Sequence, residues 1–301
     1  MASLKALRGR ITSVRNTRKI TSAMKMVAAS KLRRAQTQAE AARPYADRME
    51  RMLAALASSA RHSPTAPRLL VGTGQDQRHL LIVVTADRGL AGAFNTNVGR
   101  AARALIRRLE GEGKHVHVIT VGRKGRDYLR REFASRLVGD VSFAGRKSVS
   151  FADVSGVAEQ ATAMVQSGEA DVVTVLYNRF VSVISQVPTE ARLVPLPMPE
   201  SARSEGTGTG GLGAAGGAIY EFEPDEEAIL GALLPRNLAI QLFRAVIESA
   251  AGEQGARMAA MDNATRNAGD MINRLTLVYN RTRQANITRE LIEIISGAEA
   301  L

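Results

Sequence analysis

The chain has 301 residues, 41 Lys and Arg against 29 Asp and Glu, a formal charge of +12, and 45% hydrophobic content. That suffices for one sizeable core, or a core plus an extended helical part, and the charge favours acidic partners. With no cysteine or tryptophan and only 4% aromatic residues, disulfides, thiol catalysis and cysteine metal sites are excluded, and base-stacking platforms are not expected.

Residues 1–39 hold ten of the Lys and Arg and no Asp or Glu. An Arg-rich, acid-poor amphipathic start also describes an organelle transit peptide. The stretch runs on into further regular helix and lacks a serine-rich tail, so the expectation is a mature N-terminal helix over residues 3–59. Leu4, Leu7, Ile11 and Val14 keep a three-four spacing, and Thr21, Met24, Ala28 and Leu32 continue it with smaller residues. So narrow a stripe on so long a helix belongs to a coiled coil. Pro44 predicts a kink near residues 42–43.

Residues 62–77 read as a linker, rich in Pro, Gly, Ser and Thr. A bounded apolar run follows at 79–87 and predicts a buried strand. A helix is expected over 95–111 with Asn95 or Thr96 as its cap, then a strand from His115, a basic helix over 123–132 and a third strand near 136–143. An amphipathic helix over 151–167 is closed by Gly168. A fourth strand begins at Asp171, and residues 181–196 supply one or two more. Strands alternating with helices imply a small, mainly parallel, Rossmann-like α/β domain over 68–200. Residues 201–219 are Gly-rich and read as a flexible insertion.

From 220 to 301 the chain reads as a second long helix, with apolar residues at Met271, Leu275, Val278, Ile287, Leu291 and Ile294. About 60 residues of continuous helix would be roughly 90 Å long, beyond the width of an ordinary domain. The expected fold class is therefore α/β, with a long antiparallel coiled coil of the terminal helices and the α/β domain inserted between them. If Ser59 is level with about Asp225, Leu4 is level with about residue 280. Roughly twenty residues beyond Tyr279 then lack a partner in their own chain, yet they carry Ile287, Leu291, Ile292, Ile294 and Ile295. Such an end should be sheathed by another protein.

Chemistry-bearing motifs are few. Residues 208–213 fit G-x-G-x-x-G but neither follow a strand nor open a helix, so they read as linker. No P-loop sequence exists. Residues 87–96 join the first strand to the first helix of the inserted domain, where α/β ligand sites often sit. They keep open a nucleotide-binding α/β protein with a coiled-coil oligomerisation arm. His115 and His117 share one strand face without an obvious third ligand. A basic coiled-coil nucleic-acid adaptor is disfavoured, because no recognition helix leads into a zipper and the apolar stripe already needs a partner. No stretch approaches about 18 consecutive apolar residues, and no catalytic, cofactor or metal constellation emerges.

Three segments carry a resemblance. Residues 18–35, RKITSAMKMVAASKLRRA, resemble the N-terminal helix of the gamma subunit of F-type ATP synthase, bacterial type. Residues 89–98, GLAGAFNTNV, resemble that family's first strand–helix connection. Residues 287–298, ITRELIEIISGA, resemble its C-terminal signature, with Thr288, Glu290, Glu293, Gly297 and Ala298 in place. The resemblance implies a non-catalytic, single-copy central rotor shaft of a proton-translocating enzyme. It implies a sleeve of alpha and beta subunits, an epsilon subunit and a membrane c-ring as partners, with no cofactor and no nucleic acid. The location implied is peripheral, on the cytoplasmic face of the bacterial inner membrane. Contacts with these partners are implied for Arg8 and Arg10. Met24 and Lys25 would meet an acidic loop of beta, with Arg257 near them on the opposing helix. Gln284, Thr288 and Glu290 would meet a beta loop higher up. Exposed charge pairs, at about 0–1 kcal/mol each, exchange cheaply enough for a rotating contact.

Overall fold

A computed structural model of the chain describes residues 3–60, 66–146, 148–197 and 226–299. The Gly-rich stretch 201–218 lies outside them. The two terminal helices are α1, Leu4–Ala60, and α6, Glu226–Glu299. Between them come α2 (Arg68–Val71), β1 (Arg78–Val84), α3 (Phe94–Gly111), β2 (His115–Val121) and α4 (Arg123–Phe133). Then follow β3 (Leu137–Val141), α5 (Phe151–Ser167), β4 (Val172–Phe180) and β5 (Gln186–Val194). The helical assignment of α1 runs through Pro44, and the expected linker contains the short α2.

The chain divides into two compact units: residues 1–30 with 257–301, and Lys31–Ala256. The larger unit is built on one five-stranded sheet in the order β3-β2-β1-β4-β5. This 3-2-1-4-5 order is that of the doubly wound dinucleotide folds. β1 pairs in parallel with β2 and β4, and β2 with β3, whereas β5 runs antiparallel along β4. β1 (RHLLIVV) is buried along almost its whole length, because helices cover both faces of a parallel sheet. Alternation then sorts its side chains. Leu81 and Val83 pack with Val98, Ile106, Leu129 and Phe133 of α3 and α4. Leu80, Ile82 and Val84 face the other way, into a cluster with Val157 and Ala161 of α5.

That second cluster also takes Met49 and Leu53 of α1, and Leu230, Leu234, Leu238 and Leu242 of α6. The four leucines recur every fourth residue, so they form one stripe of α6. Burial of each is worth about 1.5–3 kcal/mol. A stretch of α6 is long and apolar enough by composition to cross a membrane, but half of it is buried within the protein.

Two local devices close α5. Ser150 and Asp153 form a reciprocal capping box at its start, which satisfies two otherwise orphaned N–H groups. Gly168 ends it in the left-handed conformation, at φ 80° and ψ 15°. At the N-terminal edge of the sheet, Asp171 is fully buried. It accepts hydrogen bonds from the Thr73 hydroxyl (2.5 Å), the Gln77 and Arg78 backbone N–H groups (3.2 and 2.9 Å) and the Arg78 guanidinium (3.0 Å). Burial pushes its pKa up, but these donors outweigh burial and hold it down at about 2. The starts of β1 and β4 are thereby tied to one carboxylate.

Candidate interaction surface

In the unit of residues 1–30 and 257–301, α1 and α6 run antiparallel. The Arg8 guanidinium donates to the Tyr279 hydroxyl at 2.9 Å and lies 5.8 Å from the centre of its ring. The Thr21 and Thr265 hydroxyls are 2.7 Å apart, and the Lys25 ammonium donates to Asp262 at 2.6 Å. The Lys25 ammonium, together with Arg266 at 3.1 Å, holds the Asp262 carboxyl below its ordinary pKa. The buried residues of α1 here are Leu7, Ile11, Thr21 and Ala28, and those of α6 are Met261 and Ala268. Their spacings are sums of threes and fours, as in a coiled-coil seam. Thr21 and Thr265 form a polar pair inside that seam, a device that fixes register.

This register corrects the expected one. Asp262 is level with Lys25, so by equal rise Leu4 falls level with about residue 283 rather than 280. Arg257 is five residues from Asp262, about 7.5 Å of helix rise or nearly one and a half turns, and is half-buried. The stripe expected along Met271, Leu275 and Val278 holds only at Leu275. Met271 is 49% and Val278 46% exposed, whereas Ile272, Leu275, Thr276 and Tyr279 are half-buried.

The remaining predicted contact residues differ in exposure. Arg8 and Arg10 are exposed, and Met24 and Lys25 are half-buried. Gln284, Thr288 and Glu290 are exposed on the end of α6. There every side chain described from Ile287 onward is exposed, including Leu291 (54%), Ile292 (58%), Ile294 (67%) and Ile295 (57%). Sequence reasoning missed a second set of apolar side chains further along this unit. Ile20, Met26 and Val27 of α1, and Leu277 of α6, are also more than half exposed. The available signal was that these residues are surplus once the seam has taken its share.

Residues 87–96, where a nucleotide site was one expectation, are tied into the fold of the larger unit. In this fold a ligand would lie at the carboxyl ends of the strands, and those ends are filled by the chain itself. Asp87 accepts from the Arg123 N–H that opens α4 (3.0 Å), from the Ser142 hydroxyl (2.7 Å) and from the Phe143 N–H (3.0 Å). An internal carboxylate therefore occupies the N-terminus of α4, one of the helix starts at this edge where an anion could sit. Asn95 does not cap α3. Its amide oxygen accepts from the Ala86 N–H and its amide nitrogen donates to the Arg88 carbonyl, closing the loop. From α6, Gly252 lies against Phe94 and Gln186, where an added Cβ would come within 3.3 Å of both, and Gly255 lies as closely against Phe180. No cluster of potential metal ligands occurs among the described residues.

A family model described as ATP synthase matches residues 3–301. The ATP synthase gamma chain of Granulibacter bethesdensis is 68% identical over 301 residues, all of both chains. That of Acidiphilium cryptum is 62% identical over the same span. Among solved structures, a central stalk and c-ring structure of the Tetrahymena thermophila mitochondrial ATP synthase contains a chain with 26% identity. It matches with a TM-score of 0.58 and covers 81% of this chain and 99% of that one. A structure of the Euglena gracilis mitochondrial enzyme shares the fold at 21% identity and a TM-score of 0.67, covering 99% and 94%.

Proposed function

The chain belongs to the ATP synthase gamma chain family, and on that premise we propose that it is the central rotor shaft of the complex, turning inside a sleeve of alpha and beta subunits. The observation that carries this reading is the end of α6. It stays helical to Glu299 while its isoleucines and leucine remain uncovered beyond the reach of α1. Exposed apolar helix of this kind marks an interaction site. The alpha–beta sleeve would cover it. The larger unit would join an epsilon subunit and a membrane c-ring, so that ion flow through the membrane turns the shaft.

In this role the chain is non-catalytic, present once per complex and peripheral to the cytoplasmic face of the bacterial inner membrane. It works by shape and charge: α1 between Leu4 and Ser30 carries seven basic and no acidic residues. Among the described residues only Lys25 of these seven forms an ion pair. The other cations are left for acidic groups of the sleeve, in solvated pairs weak enough to exchange as the shaft turns. Gln284, Thr288 and Glu290 would face the sleeve higher up.

Copurification tests the reading. The tagged chain is expected to bring down alpha, beta and epsilon at fixed stoichiometry, and a chain that never assembles with an alpha–beta hexamer defeats it. Met24→Lys tests the bearing itself. A new cation beside Lys25 would compete for Asp262 and for acidic groups of beta. ATP-driven ion pumping should fall while ATP hydrolysis persists, and normal pumping would remove Met24 from the contact.

A further inference from the structure

The larger unit contains a cavity of about 430 Å³ bounded by α1, α5, the end of β4 and α6. Its volume lies in the range of small-molecule sites. Tyr45, Phe151, Phe180 and Phe243 line it, four of only twelve aromatic side chains in 301 residues. Phe151 and Phe243 meet edge to face at 5.7 Å, and Ile240 and Ile247 complete the apolar wall. Rings so arranged favour a planar π-system over a flexible chain.

Charge at the cavity is unequally committed. Glu248 accepts the Phe180 N–H at 3.2 Å and is hydrogen-bonded to the Tyr177 hydroxyl. Glu40 is exposed at the α1 side. The Arg236 guanidinium is exposed at the mouth and lies 5.7 Å from the centre of the Tyr45 ring. Neither Arg236 nor Arg244, which also lines the cavity, forms an ion pair among the described residues.

We propose that this cavity is a binding site for a planar aromatic ligand bearing one anionic group, a carboxylate or sulfonate directed at Arg236 with the rings among Phe151, Phe180 and Phe243. The ligand would bridge α1, α5, β4 and α6 and stabilise the larger unit by mass action. The site is independent of the rotary reading and would stand if that reading failed.

The test uses the full chain and 8-anilinonaphthalene-1-sulfonate as the probe. Because the chain has no tryptophan, Tyr45→Trp places a single donor at the mouth and keeps a ring over Arg236. Addition of the probe should quench that emission by energy transfer, saturate at one equivalent and raise the melting temperature. Ala39→Phe, which fills the cavity, should weaken binding about tenfold or more, and Arg236→Gln, which removes only an exposed cation, about two- to fivefold. Uncharged N-phenyl-1-naphthylamine should bind less tightly by a similar factor. The double substitution Leu291→Asp and Ile294→Asp, far from the cavity in sequence, should leave the affinity and stoichiometry of the probe unchanged, whatever it does to assembly. Unsaturable quenching, unchanged affinity in Arg236→Gln, or loss of binding in the 291/294 variant would each overturn the assignment.

Discussion

In the unit of Lys31–Ala256, the apolar side chains of α6 are spent on a sheet: Leu230, Leu234, Leu238 and Leu242 are at most 3% exposed. In the unit of residues 1–30 and 257–301, the same helix shows the reverse. Ile287, Leu291, Ile292, Ile294 and Ile295 are 48–67% exposed. One continuous helix thus has two economies of burial. Where it meets a sheet with helices on both faces, apolar residues stabilise the chain's own fold. Where it meets one helix, a narrow seam of Leu7, Ile11, Ala28, Met261 and Ala268 holds the pair. The surplus apolar surface stays available to other chains. A unit held by a seam alone is the weaker of the two, and its outer residues can change without cost to folding.

Substitutions should separate the two regimes. The largest effect is expected from Leu242→Ala, which opens a cavity at a fully buried position. It should cost about 2–5 kcal/mol in denaturant unfolding of the larger unit; a loss under 1 kcal/mol would mean that the sheet face repacks freely. Asp171→Asn comes next. The folded pKa of about 2 lies below the ordinary value of 3.8, so this carboxylate stabilises the fold fully above pH 3.8 and loses that contribution as pH falls through 2. The substitution should cost about 2 kcal/mol at neutral pH, and the gap from the unsubstituted chain should close in acid. A gap that persists below pH 2 would show that packing, not charge, sets the effect.

A smaller change is expected in the seam. Thr265→Val removes the hydroxyl facing Thr21 and should cost about 1 kcal/mol or less. It should be read as faster amide exchange over 257–280 with none in β1. Exchange rising equally in both places would merge the two units into one cooperative block. Smallest of all on the chain alone is Leu291→Asp with Ile294→Asp, expected within about 0.5 kcal/mol. The same pair should abolish copurification with the sleeve, and unimpaired assembly would place the partner elsewhere.

How far the sequence could be read follows the same division. β1, β2 and β4 were legible because strands buried on both faces are nearly continuous apolar runs. β5 was less clear. It is an edge strand, reads QVPTEARLV and carries Pro188, so neither alternation nor a full run marks it. α2 has four residues and no period to detect. The pairing of the terminal helices was legible, but its register was not. It rested on levelling the wrong ends, and the true marker, Thr21 facing Thr265, is two ordinary residues 244 positions apart. The α6 stripe was right at Leu275 but one residue off at Met271 and Val278, because Met271 and Ile272 are adjacent and Leu275–Val278 offers apolar choices on several faces. The exposed end was foreseen correctly, since excess helix with apolar residues needs only counting.

The contacts that hold the smaller unit join residues 237 to 271 positions apart. A ribosome adding roughly 5–20 residues per second makes Arg8 well before Tyr279, with a delay on the order of ten seconds to a minute. During that interval Leu7, Ile11 and Ala28 have emerged with nothing to pair with, while the sheet, complete by Val194, can already close. The first turns synthesised are therefore among the last to find their place. A chain interrupted before residue 257 would carry a folded sheet unit and a basic, half-apolar helix with its seam open, a form that quality control can recognise as unfinished.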